Sequence, residues 1–199
     1  MMPSPIEFYF DFMSPFAYLA HRRAAELARQ YGREMRYVPM NLPEAKIAAG
    51  NTGPSNRDIP VKLRYLLQDI KRWAAIDNMP VEFPASLDSD RMNRGTFFAH
   101  DRGKAEAYIA ACFTKGWGEG ADISSDDTLT AVAKSLNWLP QEFIAAIESS
   151  ELESRYKAAN GEAHDRGVFG VPTFFVDDEM WWGNDRLHFL EQYLAAHQG

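Results

Sequence analysis

The chain has 199 residues, of which 46% are hydrophobic and 13% aromatic, enough for one large domain or a domain with an insertion. Its formal net charge of −7 argues against nucleic acid as a partner, because phosphate binding needs a dense basic surface. The single cysteine, Cys112, excludes an internal disulfide and suits a reducing cytosol, so we expect a cytoplasmic protein. We expect no membrane span, secretory signal or metal site, because the sequence has no long apolar stretch, basic leader or ligand spacing.

The first part of the chain predicts a strand, a helix and a second strand. Residues 6–12 are apolar and rich in aromatic side chains, which is typical of a strand. Ser14 and Pro15 follow; Ser is a preferred N-cap and Pro a preferred first helical residue. Apolar residues then recur at helical spacing up to Gly32, a stop signal, and residues 35–40 indicate a second strand. A helix that connects two strands favours a parallel pair.

The middle of the chain predicts a helical domain. Residues 45–60 are rich in Gly, Asn and Pro, which is typical of a loop. Beyond them, apolar stripes at helical spacing predict five helices, around residues 63–74, 105–113, 129–136, 143–147 and 152–163. Cys112 lies in the second of these helices, among apolar residues, and we expect it in the core.

The last part of the chain predicts two strands and a helix. Val171 and Pro172 precede a predicted strand at 173–176, and a tight turn leads to its hairpin partner at 180–182. A final helix follows, with Asp185 as its expected N-cap. We therefore predict an α/β protein, a thioredoxin-like βαβ…ββα sheet domain with an all-helical insertion after the second strand. The predicted divisions are 1–43 and 166–199 for the two halves of the sheet domain and 44–165 for the helical domain.

Ser14 is the strongest candidate for chemistry. A reactive group at a helix start, together with an X-Pro turn before a later strand, is the layout of a thioredoxin-type active site. Ser14 and Ala17 stand where the two cysteines of a Cys-x-x-Cys motif would be, so any thiol must arrive on a cofactor. A helix N-terminus favours a thiolate, and a Ser hydroxyl can donate a hydrogen bond to it. The alternative is that Ser14 only caps its helix.

Two further segments could bind a small peptide that carries a thiol. A cis bond before Pro172 would expose the backbone of Val171 to an extended peptide, and glutathione suits such an edge. The alternative is an ordinary trans proline at the start of a strand. The turn at 182–185 could bind the charged ends of the peptide, or it could be a helix start with a core tryptophan. This turn comprises Trp182, Gly183, Asn184 and Asp185.

Lys46, Asn56 and Arg57 lie in the loop that enters the helical domain. Lys and Arg can hold a carboxylate, and an acidic protein with an anionic substrate needs positive groups in its cleft. The alternative is a solvated loop.

Five separated motifs, in the same order and over nearly the whole chain, resemble the family of 2-hydroxychromene-2-carboxylate isomerases. This family belongs with the kappa-class glutathione transferases and is related to disulfide oxidoreductases of thioredoxin fold. The motifs are Phe8–Phe12 leading into Ser14–Tyr18, Gly53–Asp58, Gly116–Gly120, Val168–Thr173 and Met180–Leu187.

The resemblance implies glutathione as cofactor, a small aromatic carboxylate as substrate and a homodimer. The implied reaction interconverts 2-hydroxychromene-2-carboxylate and trans-o-hydroxybenzylidenepyruvate in aromatic, naphthalene-type catabolism. Ser14 would activate the glutathione sulfur, and Leu87 would face the substrate where the family pattern leads us to expect an aromatic residue, usually Tyr. The resemblance also assigns glutathione binding to Val171, Pro172, Trp182, Gly183, Asn184 and Asp185, and substrate binding to Lys46, Asn56 and Arg57.

Three alternatives remain open from the sequence. A kappa-like glutathione transferase would use the same thiolate site but consume glutathione. A non-catalytic binding protein of thioredoxin fold would also show Ser14 in place of a cysteine. A disulfide oxidoreductase is the least supported, because the chain has one cysteine and neither active-site position carries sulfur.

Overall fold

The structure, a computed structural model, describes residues 3–197 and contains a four-stranded sheet with the strand order β2-β1-β3-β4. The strands are β1 (Ile6–Phe10), β2 (Met35–Pro39), β3 (Thr173–Val176) and β4 (Glu179–Trp182). β1 and β2 are parallel, whereas β3 is antiparallel to both β1 and β4. The predicted order of two strands around a helix, a helical segment and then a hairpin with a helix is confirmed.

Helices cover the sheet and form most of the middle of the chain. They are α1 (Pro15–Gln30), α2 (Leu42–Ala48), α3 (Pro60–Ile76), α4 (Asp90–Asp101), α5 (Ala105–Phe113), α6 (Asp126–Ser135), α7 (Pro140–Ile147), α8 (Ser150–Asp165) and α9 (Leu187–Ala196). Short 3₁₀ turns occupy 56–58 and 184–186, and a π turn at 114–118 follows α5 directly. In the part of the chain that the structure describes, no helix is both long and apolar enough to cross a membrane.

α1 begins and ends as the sequence predicts. Ser14 is its N-cap, and the Ser14 Oγ accepts a hydrogen bond of 3.3 Å from the Ala17 N–H. Pro15 fills the first helical position, where its missing N–H costs nothing. Just after the helix, Gly32 has a φ of +61°, a conformation that glycine adopts without a steric penalty.

The strand register brings several chain segments to one edge of the sheet. Phe10, the last residue of β1, pairs with Pro39, the last residue of β2. Tyr9 pairs with Thr173, the first residue of β3, and Thr173 pairs with Trp182, the last residue of β4. The segments that follow β1, β2 and β4, and the one that precedes β3, therefore meet at this edge.

The sheet and the helical segment share one hydrophobic core. Phe12, just after β1, is 1% exposed, and its ring lies 4.9 Å from that of Phe113 and 6.0 Å from that of Tyr108, both on α5. On the sheet itself, Phe8 stacks on Phe174 with 5.0 Å between ring centroids. Cys112 is buried on α5, as predicted. The divisions at 43/44 and 165/166 stay predictions.

Two helices were missed by the periodicity of the sequence. α2 overlaps the start of the expected loop at 45–60; Asn41 caps it by accepting a hydrogen bond from the Glu44 N–H, and Pro43 occupies its first turn. α4 has no clear apolar stripe because buried polar residues and Gly95 lie on it. Gly95 is required there, since a side chain at this position would overlap the Tyr108 ring.

Two predicted boundaries were also wrong. β1 ends at Phe10 rather than at residue 12, because the chain turns at Asp11. Asp185 is not the N-cap of the last helix; it lies inside the 3₁₀ turn 184–186, and α9 begins at Leu187. Gly183, two residues before Asp185, is the residue that starts this turn. It has a φ of +101°, and its N–H donates to the Pro172 carbonyl at 2.8 Å.

Candidate active site

Ser14 lies at the shared edge of the sheet, at the N-terminus of α1. Its N–H donates to the Asp11 carbonyl at 2.9 Å, and its own carbonyl accepts from the Tyr18 N–H at 3.1 Å. The side chain is buried, and Oγ accepts from the Ala17 N–H. Within residues 3–197, no acceptor takes the hydroxyl proton of Ser14, so this proton is available to a bound ligand.

The Asp11 carboxyl organises the turn that precedes Ser14. It is 1% exposed and accepts from the Met13 N–H at 3.1 Å and the Leu42 N–H at 2.9 Å. Ser89 and Asn93, from the helical segment, donate to the same carboxyl. Burial raises the pKa of Asp11, and these four hydrogen bonds act in the opposite direction. No role for Asp11 was predicted from the sequence, although a carboxylate between two aromatic residues, Phe10 and Phe12, is a visible signal.

Trp117 supports the same turn from the π turn at 114–118. Its indole Nε1–H donates to the Phe12 carbonyl at 2.8 Å, and the side chain is 2% exposed. Gly116, next to it, has no room for a side chain because an added Cβ would lie 2.7 Å from an Ile123 methyl group. The Gly116–Gly120 motif therefore has a structural reason: it brings an indole donor to the residue two positions before Ser14.

The segment before β3 lies beside the end of β1. The Val171–Pro172 peptide bond is cis. The Val171 side chain is buried in a small cluster that also contains Tyr9, Met40 and Ala45. Within residues 3–197, neither the N–H nor the carbonyl of Val171 has a hydrogen-bond partner. This arrangement leaves the backbone N–H and carbonyl of Val171 able to pair with a ligand.

The turn at 182–185 is joined to this segment through the hydrogen bond between Gly183 and Pro172. Trp182 is 44% exposed, so the alternative that placed it in the core is wrong. Its indole lies against Gly170, where an added Cβ would come within 2.8 Å of Nε1. Asn184 is buried, and the Asp185 carboxylate forms an ion pair with Arg186. The 3₁₀ turn that contains Asn184 contacts α1.

The three polar candidates of the entry loop are placed differently from one another. Lys46, in the last turn of α2, is half-buried, and burial followed by the charge of Arg57 lowers its pKa. The neighbouring Asp58 acts in the opposite direction. The Asn56 Oδ1 accepts a hydrogen bond from the Lys62 ammonium at 3.2 Å. The charge of Arg57 therefore reaches Lys46, whereas the Asn56 side chain contacts a residue of α3.

Leu87 belongs to the segment between α3 and α4, and it is partly buried against the main core. This segment approaches the start of α1 at two points. The Tyr18 hydroxyl donates to the Pro80 carbonyl at 2.6 Å, and Ser89 donates to Asp11. Leu87 therefore lies two residues from a direct contact with the Asp11 carboxyl.

A cleft of about 410 Å³ lies elsewhere, between β2 and helices α4 and α8. Its walls include Val38, Phe97 and Arg155, and none of the predicted site residues lines it. We place the site at the sheet edge because hydrogen-bonding groups without partners, rather than open volume, mark it.

Comparison with known proteins identifies the fold and the family. The DSBA-like thioredoxin domain family matches residues 5–195. The 2-hydroxychromene-2-carboxylate isomerase of Pseudomonas putida is 45% identical over 96% of this chain and 94% of its own length. The isomerase of the same name from Sphingobium xenophagum is 42% identical over 97% of this chain and 99% of its own. Glutathione S-transferase kappa 1 of Rattus norvegicus is more distant, at 22% identity over 98% of this chain and 93% of its own.

Solved structures agree. A 2-hydroxychromene-2-carboxylate isomerase structure superposes with a TM-score of 0.92 at 44% identity, covering 96% of this chain and 94% of the other. The cytosolic disulfide reductase DsbM from Pseudomonas aeruginosa, solved with GSH, has a TM-score of 0.66 at 18% identity, covering 96% and 99%, and shows the shared fold. The predicted thioredoxin-like fold with a helical insertion is confirmed. The chain is an enzyme and belongs to the family of 2-hydroxychromene-2-carboxylate isomerases.

Proposed function

We propose that this enzyme is a glutathione-dependent isomerase that interconverts 2-hydroxychromene-2-carboxylate and trans-o-hydroxybenzylidenepyruvate in naphthalene-type aromatic catabolism. The observation that carries the proposal is the Ser14 hydroxyl, which caps α1, keeps its proton unused within residues 3–197, and lies at the same edge of the sheet as the unpaired backbone of Val171. Relatives at 42–45% identity carry the name of this isomerase, and a more distant relative is named as a glutathione transferase.

Glutathione would bind along the edge formed by Val171 and the turn at 182–185. Its cysteine backbone would pair with the free N–H and carbonyl of Val171, as an added strand does. The Asp185 carboxylate would exchange its ion pair with Arg186 for the ammonium of the γ-glutamyl group. The sulfur would then lie at the start of α1, where the Ser14 hydroxyl and the helix dipole favour the thiolate.

The bound thiolate would act as a covalent catalyst. When bound, glutathione would supply a soft thiolate able to add reversibly to the conjugated carbon of the ring-opened substrate, which would let the former double bond rotate, and it would be regenerated rather than consumed. The Ser14 hydroxyl would donate a hydrogen bond to this thiolate.

Lys46 and Arg57 would hold the carboxylate of the substrate and the developing enolate. The charge of Arg57 lowers the pKa of Lys46, which means that the two cations repel each other in the absence of an anion. A bound carboxylate relieves this repulsion, and its attraction to the half-buried Lys46 is screened less by solvent than its attraction to the exposed Arg57. Leu87 would offer an apolar contact to the aromatic ring. The homodimer and the cytoplasmic location stay predictions.

A spectrophotometric assay of the purified enzyme with the chromene acid, with and without added glutathione, tests the proposal. We expect isomerisation that needs catalytic glutathione and leaves its concentration unchanged at steady state. Equal rates without glutathione would rule out the cofactor. Loss of one glutathione for each substrate consumed would instead identify a transferase, the second candidate, which the kappa-class relative favours.

A further inference from the structure

A buried polar residue on α4, Asn93, contacts both residues that begin the turn before Ser14. Asn93 is fully buried, and its Oδ1 accepts from the Phe12 N–H at 3.3 Å. Its Nδ2 donates to the Asp11 carboxyl at 3.0 Å and to the Tyr156 hydroxyl at 2.9 Å. A carboxamide presents an acceptor and two donors on one planar group, so no apolar or purely acidic side chain can make this set of bonds.

The Asp11 carboxyl depends on Asn93 in turn. Within residues 3–197, no Lys, Arg or His forms an ion pair with Asp11, so hydrogen bonds alone hold this buried carboxyl. The groups that face it are the N–H of Met13, the N–H of Leu42 at the start of α2, and Ser89 and Asn93 from the helical segment. Loss of one donor would leave the carboxyl under-solvated and would loosen its bond to Met13, the residue before Ser14.

We propose that Asn93 is a positioning residue for the reaction: it holds the Asp11–Ser14 turn so that the Ser14 hydroxyl points at the cofactor sulfur. The helical segment thus controls the geometry of a group on the sheet domain, about 80 residues away along the chain. The role at the sulfur rests on the proposed function. The physical reason is that a small misplacement of a catalytic hydrogen-bond donor costs rate without any loss of a contacting group.

Asn93→Ala is the principal variant, and Tyr108→Phe is its matched control. Tyr108 is also fully buried, and its hydroxyl donates to the carbonyl of Met92, the residue beside Asn93 on α4. The control therefore removes a buried hydrogen bond that α5 makes to α4, the helix of Asn93. It leaves every bond of the Asp11–Ser14 turn in place. Thermal unfolding of both variants measures how much stability each one loses.

Amide hydrogen exchange of the enzyme without glutathione is the first measurement. In Asn93→Ala we expect the Phe12 and Met13 amides to exchange roughly 10-fold faster or more, because local opening of the turn becomes easier. In Tyr108→Phe these two amides should exchange at the wild-type rate once any global change is subtracted. Unchanged exchange at Phe12 and Met13 in Asn93→Ala would overturn the proposal.

Steady-state kinetics are the second measurement. We expect kcat of Asn93→Ala to fall on the order of 10-fold with little change in KM, whereas Tyr108→Phe keeps kcat within about 2-fold. A matching fall of kcat in both variants would show that Asn93 contributes only to stability and would overturn the proposal. If the wild-type enzyme works equally well without glutathione, the proposed function fails, yet exchange and kcat of these variants still decide whether Asn93 positions the turn.

Asn93→Asp keeps the test decisive if Asn93→Ala does not fold. It retains the Oδ1 acceptor for Phe12 but sets a second carboxyl against Asp11, so the two must share a proton. We expect kcat to gain a new decline with rising pH, which wild type and Tyr108→Phe lack. A kcat profile identical to that of wild type would overturn the proposal.

Discussion

The Asp11–Ser14 turn and the segment at 50–62, to which we assign cofactor activation and substrate binding, are built in opposite ways. In the turn, Asp11, Phe12 and Ser14 are buried, and hydrogen bonds from α2, α4 and the π turn hold the Asp11 carboxyl and the Phe12 carbonyl. In the segment, most side chains are exposed, and its polar contacts are short-range, such as the Ser55 and Asp58 capping box. The Ser14 hydroxyl, which we assign to chemistry, is therefore fixed before a ligand binds. Arg57, which we assign to substrate recognition, can still adjust its position.

Ser14→Ala tests whether the Ser14 hydroxyl acts in catalysis. We expect it to lower kcat roughly 10²–10³-fold, because a preorganised donor to the thiolate is lost. It also removes an N-cap, at a cost of about 1 kcal/mol of stability. Ser149→Ala is the control, since the Ser149 Oγ caps α8 by accepting a hydrogen bond of the same length, 3.3 Å, from the Leu152 N–H. Steady-state assays and thermal unfolding compare the two. Equal kcat in both variants would show that Ser14 is only a cap.

α1, the helix that Ser14 caps, carries a buried histidine whose titration should appear in the pH dependence of stability. His21 on α1 is buried beside Tyr18 and Phe113, and burial lowers its pKa from 6.5 to about 4. Between these values the unfolded chain binds a proton that the folded chain does not, so stability is complete above pH 6.5 and falls as pH decreases towards 4. Through His21, acidification lowers the free energy of unfolding by at most about 3 kcal/mol.

His21→Gln isolates this contribution from the carboxylates that titrate in the same range. Urea unfolding at several pH values should show a smaller loss of stability on acidification in His21→Gln than in wild type. Parallel pH curves for the two proteins would contradict the assignment and would mean that His21 is protonated equally well in both states.

Gly183→Ala tests whether glutathione binding depends on the backbone geometry of the turn at 182–185. Gly183 has a φ of +101°, and an added Cβ would lie 2.6 Å from the Asp185 carboxylate. We expect a stability loss of about 1–3 kcal/mol from strain and about 10-fold weaker glutathione binding in calorimetry. Gly103→Ala is the control, because Gly103 has a φ of +62° but open space around its Cβ position. Equal glutathione affinity in both variants would remove this turn from the cofactor site.

Arg57→Ala tests the role of the exposed segment at 50–62 in substrate binding. We expect KM for the chromene acid to rise about 10-fold with little change in kcat or stability, since an exposed cation contributes to binding more than to folding. Arg64→Ala, an exposed arginine on α3, serves as the control for net charge. A rise in KM of the same size in both variants would mean that overall charge, rather than the position of Arg57, attracts the substrate.

The sequence predicted the parts of the molecule that depend on local signals. Ser14 with Pro15 marked the start of α1, and the apolar runs marked the sheet strands. It did not predict α4 or the roles of Asp11 and Asn93, because a buried polar residue looks like a surface residue until its distant partners are known. The turn around Ser14 is held by bonds between residues about 80 positions apart, and no periodicity reports such pairs.

A crystal structure of the enzyme with glutathione would show directly whether Ser14 binds the cofactor sulfur. We expect the glutathione sulfur within hydrogen-bonding distance of the Ser14 Oγ, with the peptide backbone paired to Val171. A sulfur atom bound elsewhere, with the Ser14 hydroxyl bonded to protein or water instead, would contradict this expectation.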